Sequence, residues 1–301
     1  MNRSLFITIA VLCFATAGLA QTQELILPIA LNGYTTPPVH YQTIVRILNQ
    51  SPSAVEVTAE AYQNDGTAVR IFELFPVART GTKTVFHIEA NGSLEAFTAE
   101  DVPSLNGWIR LTYDSSATIQ AGAEVAVINA PVGPHPICMR PSTEILTSAQ
   151  APAVRAAQKF SAFAVIRTYR RSGFALVNPS SSQSATVFLS LMDLSGNFIA
   201  SGTVQIAPQS RISRFTEEVL PAAPSDFMGS LRITSNIPIG VGGVNVLYPA
   251  GEFMGINVAS SPAGVCVQVV TFARNPLTNE CRAFSTPCNV PDGWLSTASC
   301  N

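Results

Sequence analysis

Four cysteines near the end of the chain, Cys266, Cys281, Cys288 and Cys300, are spaced C-x14-C-x6-C-x11-C. In an exported chain this reads as two disulfides, with three pairings open. Closing a loop of ~15 residues stabilises a fold by about 3 kcal/mol in the chain-entropy account. A segment this short needs such help to hold a core. Cys138, in Pro136-Ile137-Cys138-Met139-Arg140-Pro141, is the odd thiol. It is free, bridges to another molecule, or partners one of the C-terminal set.

Other reactive side chains are sparse. His40 and His135 sit in proline-flanked stretches, and His87 lies where a second copy of the same pattern has Gln205. None has a neighbouring His or Cys at ligand spacing. No G-x-S-x-G, H-E-x-x-H or phosphate-loop pattern occurs. No catalytic or cofactor-binding residue is assigned, and the expectation is a protein that is not an enzyme. Glu100, Asp101, Glu217 and Glu218 form acidic pairs after a strand. With loop carbonyls they would suit calcium; as turn residues, Glu100 and Glu218 would cap a short turn before a proline. Asp193-Leu194-Ser195-Gly196-Asn197 starts like a calcium loop but lacks the distal glutamate, and reads as a hairpin turn.

Arg110 and Arg232 hold one position in two copies of a motif, where alternation points both away from the core. Arg170 and Arg171, in Arg167-Thr168-Tyr169-Arg170-Arg171, form the most basic cluster and suit an anionic glycan or acidic partner. Trp108, Tyr113 and Trp294 are the aromatics that a carbohydrate-binding face would use.

Composition narrows the class. The formal net charge is -2, so no basic footprint marks a nucleic-acid binder. No polybasic run marks an anionic membrane. Charged residues make up 12% against a usual ~25%, while 47% are hydrophobic. Such a chain folds, and its surface relies on Ser, Thr, Asn, Gln and Gly. Met1–Ala20 reads as a secretory signal: Arg3, an apolar run over Leu5–Ala15, then Gly18-Leu19-Ala20 with cleavage before Gln21. Cys13 falls within its apolar run. No stretch is long enough to span a bilayer. The expected location is secreted, periplasmic or at the cell surface.

The elements that carry these residues occur twice. Phe97-Thr98-Ala99-Glu100-Asp101-Val102-Pro103 precedes Gly107-Trp108-Ile109-Arg110-Leu111-Thr112. Phe215-Thr216-Glu217-Glu218-Val219-Leu220-Pro221 precedes Gly229-Ser230-Leu231-Arg232-Ile233-Thr234. Two copies of one motif predict two copies of one domain. In the first copy strands are expected over 24–31, 41–49, 55–62, 84–89, 93–98, 107–113 and 119–128. In the second they are expected over 160–166, 173–178, 185–193, 203–207, 211–216, 229–234 and 239–247. Val55–Tyr62 alternates with period two, a half-buried strand, and Asn64-Asp65-Gly66 is its hairpin turn. Gly66 and Gly196 are 130 apart, whereas Ile88 and Ile206 are 118 apart. The first copy thus carries an insertion of about 12 residues around Phe72–Pro76, a candidate functional loop.

Seven short strands per copy and no long amphipathic helix predict β-sandwiches. The pattern resembles the immunoglobulin-like architecture, without paired cysteines inside either copy. The chain is also similar to secreted bacterial proteins with tandem sandwich repeats, through Val177-Asn178-Pro179-Ser180, echoed by Leu48-Asn49-Gln50-Ser51, and through the G-x-[IL]-R motif. Its end looks like the compact cysteine module of exported bacterial proteins, and loosely like small protease inhibitors. The resulting reading is a signal peptide at 1–20, a first sandwich at 21–130 and a Pro-rich linker at 131–158. A second sandwich follows at 159–260, then a Cys-rich module at 261–301. The expected role is adhesion, surface assembly or recognition of a protein or glycan at the cell surface. The alternative is a carbohydrate-binding accessory protein; below it stands a secreted hydrolase or inhibitor-like module.

Overall fold

The computed structural model describes residues 22–36, 39–70, 79–80, 82–98, 104–129, 144–261, 271–275, 279–284, 290, 294–297 and 299–300. The leader, Phe72–Pro76, Glu100, Asp101, His135, Cys138, Cys266 and Cys288 lie outside the described residues. The described chain is nearly all β, with one four-residue helix.

The first repeat contains β1 (Thr22–Thr36), β2 (Val39–Asn49), β3 (Val55–Gln63), β4 (Ala68–Val69) and β5 (Arg79–Thr80). It continues with β6 (Lys83–Ile88), β7 (Ser93–Phe97), β8 (Leu105–Asp114), β9 (Ile119–Asn129) and β10 (Glu144–Pro152). One ladder runs β1-β8-β3-β6 and a second runs β10-β9-β2-β7. β1 passes from the first to the second at Gly33, whose φ of +118° few side chains tolerate. Leu27, Val45, Val57, Phe86, Ile109 and Leu111 fill the core. Alternation places them: Val55, Val57, Ala59 and Ala61 are all buried on one face of β3.

The second repeat contains β11 (Ala157–Arg167), β12 (Arg170–Val177), β13 (Ala185–Asp193), β14 (Phe198–Ile206) and β15 (Arg211–Phe215). Then come α1 (Thr216–Val219), β16 (Phe227–Leu247), β17 (Glu252–Ile256) and β18 (Val258–Ser261). Its ladders repeat the first: β11-β16-β13-β14, and β17-β16-β12-β15. The strands expected over 229–234 and 239–247 are one 21-residue strand, β16, whose two halves lie in different ladders. In the first repeat β8 and β9 do this as separate strands. Antibody domains keep their last two strands in one sheet, so the strand order here differs from theirs.

Glu144–Pro152, within the stretch read as linker, is a strand paired to β9. Its Ala149 and Ala151 are buried, and Pro152 stands at its end, where no ladder hydrogen bond is lost. Two buried asparagines do the same work in each repeat. The Asn49 amide donates to the carbonyls of Ser53, Ile88 and Glu89, and Asn178 donates to those of Gln183, Ile206 and Ala207. The motif glycines are equally determined. A Cβ on Gly107 would stand 1.7 Å from the Tyr62 carbonyl oxygen, and one on Gly229 2.1 Å from that of Met192.

The C-terminal module pairs β19 (Thr271–Arg274) with β20 (Cys281–Phe284) and β21 (Leu295–Thr297). A disulfide joins Cys281 to Cys300.

Candidate functional site

Residues singled out in the sequence gather in two places. The first is the seam between the repeats. The outer face of β1, β3 and β8 packs on the outer face of β12 and β16, burying Ile26, Tyr62, Trp108 and Val177 together. Glycines on β16 permit the approach: a Cβ on Gly240 would stand 2.8 Å from Ile26, and one on Gly242 3.0 Å from Pro28. Trp108 is fully buried, stacks on Tyr62 at 4.6 Å, and donates its indole N–H to the Gln209 carbonyl at 2.9 Å. Tyr113 is also buried, in the first core. Neither is the exposed platform that a glycan face requires.

Arg110 points away from its own core, as alternation predicts, but into the seam rather than into solvent. Its guanidinium lies 5.3 Å from the ring centres of both Tyr62 and Trp108. It donates to the Tyr62 hydroxyl and to the Pro179 carbonyl of the second repeat. Its Nε lies 3.0 Å from a Glu24 carboxylate oxygen. Burial pushes the Glu24 carboxyl above its ordinary value; Arg110 opposes the rise and Glu60 adds to it. Burial likewise raises the Tyr62 phenol.

Sequence reasoning missed Arg211, the fastener of the seam. It is 4% exposed and has four side-chain contacts, all with uncharged acceptors of the first repeat. Its Nε donates to Asn64 Oδ1 at 2.8 Å, and its Nη atoms donate to the carbonyls of Pro28 and Gly107 and to Asn106 Oδ1. Burial pushes the guanidinium down to about 10. It remains charged at neutral pH, solvated by protein dipoles instead of water. The signal was present as a difference between copies: Ser93 stands where the second copy has Arg211.

The second place is the end of the second repeat where β11 turns into β12. Arg167 pairs with Asp226 at 2.8 Å and donates to the Tyr169 hydroxyl at 3.1 Å; these partners hold it charged. Arg171 lies 3.3 Å from Glu217 and 5.6 Å from the Tyr248 ring centre. The Tyr248 N–H donates to the Tyr169 carbonyl at 2.9 Å, tying the end of β16 to this turn. Tyr169 is 56% exposed and Tyr248 41%. The buried Nε of Arg170 has no hydrogen-bond partner among the described residues. Arg167 and Arg171 are thus each paired with a carboxylate beside two exposed phenol rings, and Arg170 shares their turn, a surface suited to an anionic group next to a flat or apolar one.

The remaining candidates fall elsewhere. Arg232 is exposed on β16. Glu218 acts as a cap: its carboxylate accepts the Phe215 N–H at 2.8 Å at the start of α1, while Glu217 pairs with Arg171. The Asp193–Asn197 stretch is a turn closed by hydrogen bonds to the Asp193 carboxylate. Among the described residues no three His, Cys, Asp or Glu side chains gather where they could hold a metal ion. Trp294 is half-buried, edge-on to Phe284 at 5.5 Å with Arg282 over its ring at 5.9 Å. A groove of about 480 Å³ runs between the repeats beside Arg46, Gly122, Gln150 and Gly255. Arg46 there is held by Glu95 and Glu124 at 2.7 and 2.6 Å.

No helix among the described residues is long and apolar enough to cross a membrane. Compared with known proteins, the chain matches no family model, and no similar curated protein or solved structure was found.

Proposed function

We propose that the chain is an exported, non-catalytic binding or structural protein, acting in adhesion, surface assembly or partner recognition. In this reading it consists of two tandem sandwiches, immunoglobulin-like in strand number and length, and a disulfide-stabilised C-terminal module. The observation that carries it is the division of labour among its polar side chains. Trp108, Arg110 and Arg211 fasten the repeats to each other, while Arg171, Tyr169 and Tyr248 stand together at one end, with Arg170 in the same turn. A stiff pair of domains with a basic, aromatic tip is a device for holding an acidic partner rather than for turning one over. Guanidinium groups bind carboxylate or sulfate with two parallel hydrogen bonds, and the phenol rings add contact area at little entropic cost.

The test is retention of the purified protein on an immobilised uronic-acid polysaccharide, with a neutral polysaccharide as control. Arg170→Ala with Arg171→Ala is expected to abolish retention on the acidic matrix while far-ultraviolet circular dichroism shows the fold retained. Equal retention of wild type and variant would overturn this role for the tip. Retention on the neutral matrix, lost on Tyr169→Ala with Tyr248→Ala, would move the reading to a carbohydrate-binding accessory protein.

A further inference from the structure

Most long sheet edges in this chain carry a charge or a proline. β7 carries Glu95, β10 carries Glu144 and Pro152, β15 carries Arg211 and Arg214, and β17 carries Glu252. Such residues keep an edge from pairing with another chain. In the first repeat β6 carries Lys83 and His87, and β5 pairs with its first residues. Its counterpart in the second repeat, β14, has neither defence. Its nine residues, Phe-Ile-Ala-Ser-Gly-Thr-Val-Gln-Ile, include no charge and no proline, and among the described residues it pairs only with β13. Beyond a bulge at Ile199 its ladder with β13 is regular from Ala200 to Ile206. Ala200 and Ile206 are buried in the second core and Val204 packs against it, whereas Ser201, Thr203 and Gln205 are exposed.

We propose that β14 pairs antiparallel with β14 of a second copy of this chain, about a twofold axis at Thr203. Thr203 then faces Thr203, Ser201 faces Gln205, and Ala200 faces Ile206. Polar meets polar on the solvent face, apolar meets apolar on the core face, and no like charges are opposed. Threonines directly opposite each other are a favourable cross-strand pair. The same operation on β7 would set Glu95 against Glu95, and β18, also uncharged, is only four residues long, so the nine-residue β14 is the edge that pairs. A twofold contact of this kind closes at two chains and leaves no further edge of the same type. The inference is independent of the basic tip, and either can fail alone.

The test is the solution mass of the full exported chain by light scattering. The wild type is expected at twice the chain mass. Thr203→Lys and Thr203→Asp, each placing like charges at the axis, are expected at the single-chain mass with unchanged melting. Mixing the two variants is expected to restore the double mass. As a second measurement, Thr203→Cys is expected to give a covalent dimer on mild oxidation, above any formed by the wild type treated alike. A wild type at single mass, variants that stay at double mass, or no excess covalent dimer would each overturn the proposal.

Discussion

Arg211 and Asn64 are joined twice across the seam: the Arg211 guanidinium donates to the Asn64 side chain at 2.8 Å, and the Arg211 backbone N–H donates to the Asn64 carbonyl at 2.9 Å. Backbone of one repeat thus continues the hydrogen bonding of the other. Arg211→Met keeps the length of the side chain but leaves the acceptors on Pro28, Gly107, Asn64 and Asn106 without their donor. The expected loss is roughly 2–4 kcal/mol in urea unfolding. Small-angle scattering should show the two repeats moving apart while their far-ultraviolet circular dichroism is kept. Identical stability and scattering would remove Arg211 from this role.

Asn49 and Asn178 each hold three carbonyls inside their own repeat. Each Asn→Ala change is expected to cost about 1–3 kcal/mol, because buried carbonyls lose their donor. The sites share no partner, so the double variant should show the sum in urea unfolding. A cost at one site only would mean that the repeats do not depend on the same bond.

Three turn aspartates, Asp65, Asp114 and Asp193, have their carboxyls held below the ordinary 3.8 by hydrogen bonds. For Asp193 the Asn197 side chain is the largest cause, and backbone N–H groups add to it. A carboxyl depressed in the folded state stabilises above its unfolded value, and that contribution is lost as the pH falls through the folded value. Asp193→Asn should therefore lower the melting temperature at neutral pH. The difference should close as the pH falls through the folded value, where the wild-type carboxyl itself becomes protonated. A difference that persists in acid would point to shape rather than charge.

Trp108→Ala is expected to destabilise by about 3–5 kcal/mol, since it empties a fully buried site. Trp108→Phe retains most of the apolar contact and loses the bond to the Gln209 carbonyl, at about 0.5–1.5 kcal/mol. Thermal melting ranks the two. A Trp108→Ala protein as stable as the wild type would contradict the packing of the seam.

The strands were legible because period-two burial follows from backbone geometry alone: Val55 to Ala61 alternate in sequence and in the structure. The repeated glycine of G-x-[IL]-R was visible, and its reason, a neighbouring carbonyl, was not. The seam was hidden for a related cause. Alternation tells which side of a sheet Arg110 and Trp108 occupy, not what lies on that side. Most seam residues are those where the copies disagree, Arg110, matched by Arg232, being the exception. Trp108 corresponds to Ser230, Tyr62 to Met192, Asn64 to Leu194 and Arg211 to Ser93. Symmetry exposed the repeated scaffold, and departures from symmetry marked how the copies join. The tip at Arg167–Arg171 was visible as charge, whereas Tyr248 reaches it from 77 residues beyond Arg171, a distance no local pattern spans.

β16 belongs to both ladders of the second repeat, while the first repeat divides that path between β8 and β9. One unbroken strand means that neither ladder can open without pulling on the other. Amide hydrogens on both halves of β16 should then exchange with solvent together, through opening of the whole second repeat. In the first repeat β1 supplies that continuity instead, entering both ladders at Gly33, so its amides on either side of Gly33 should also exchange together. Each repeat thus has a long strand that ties its two ladders into one opening unit, β1 in the first and β16 in the second.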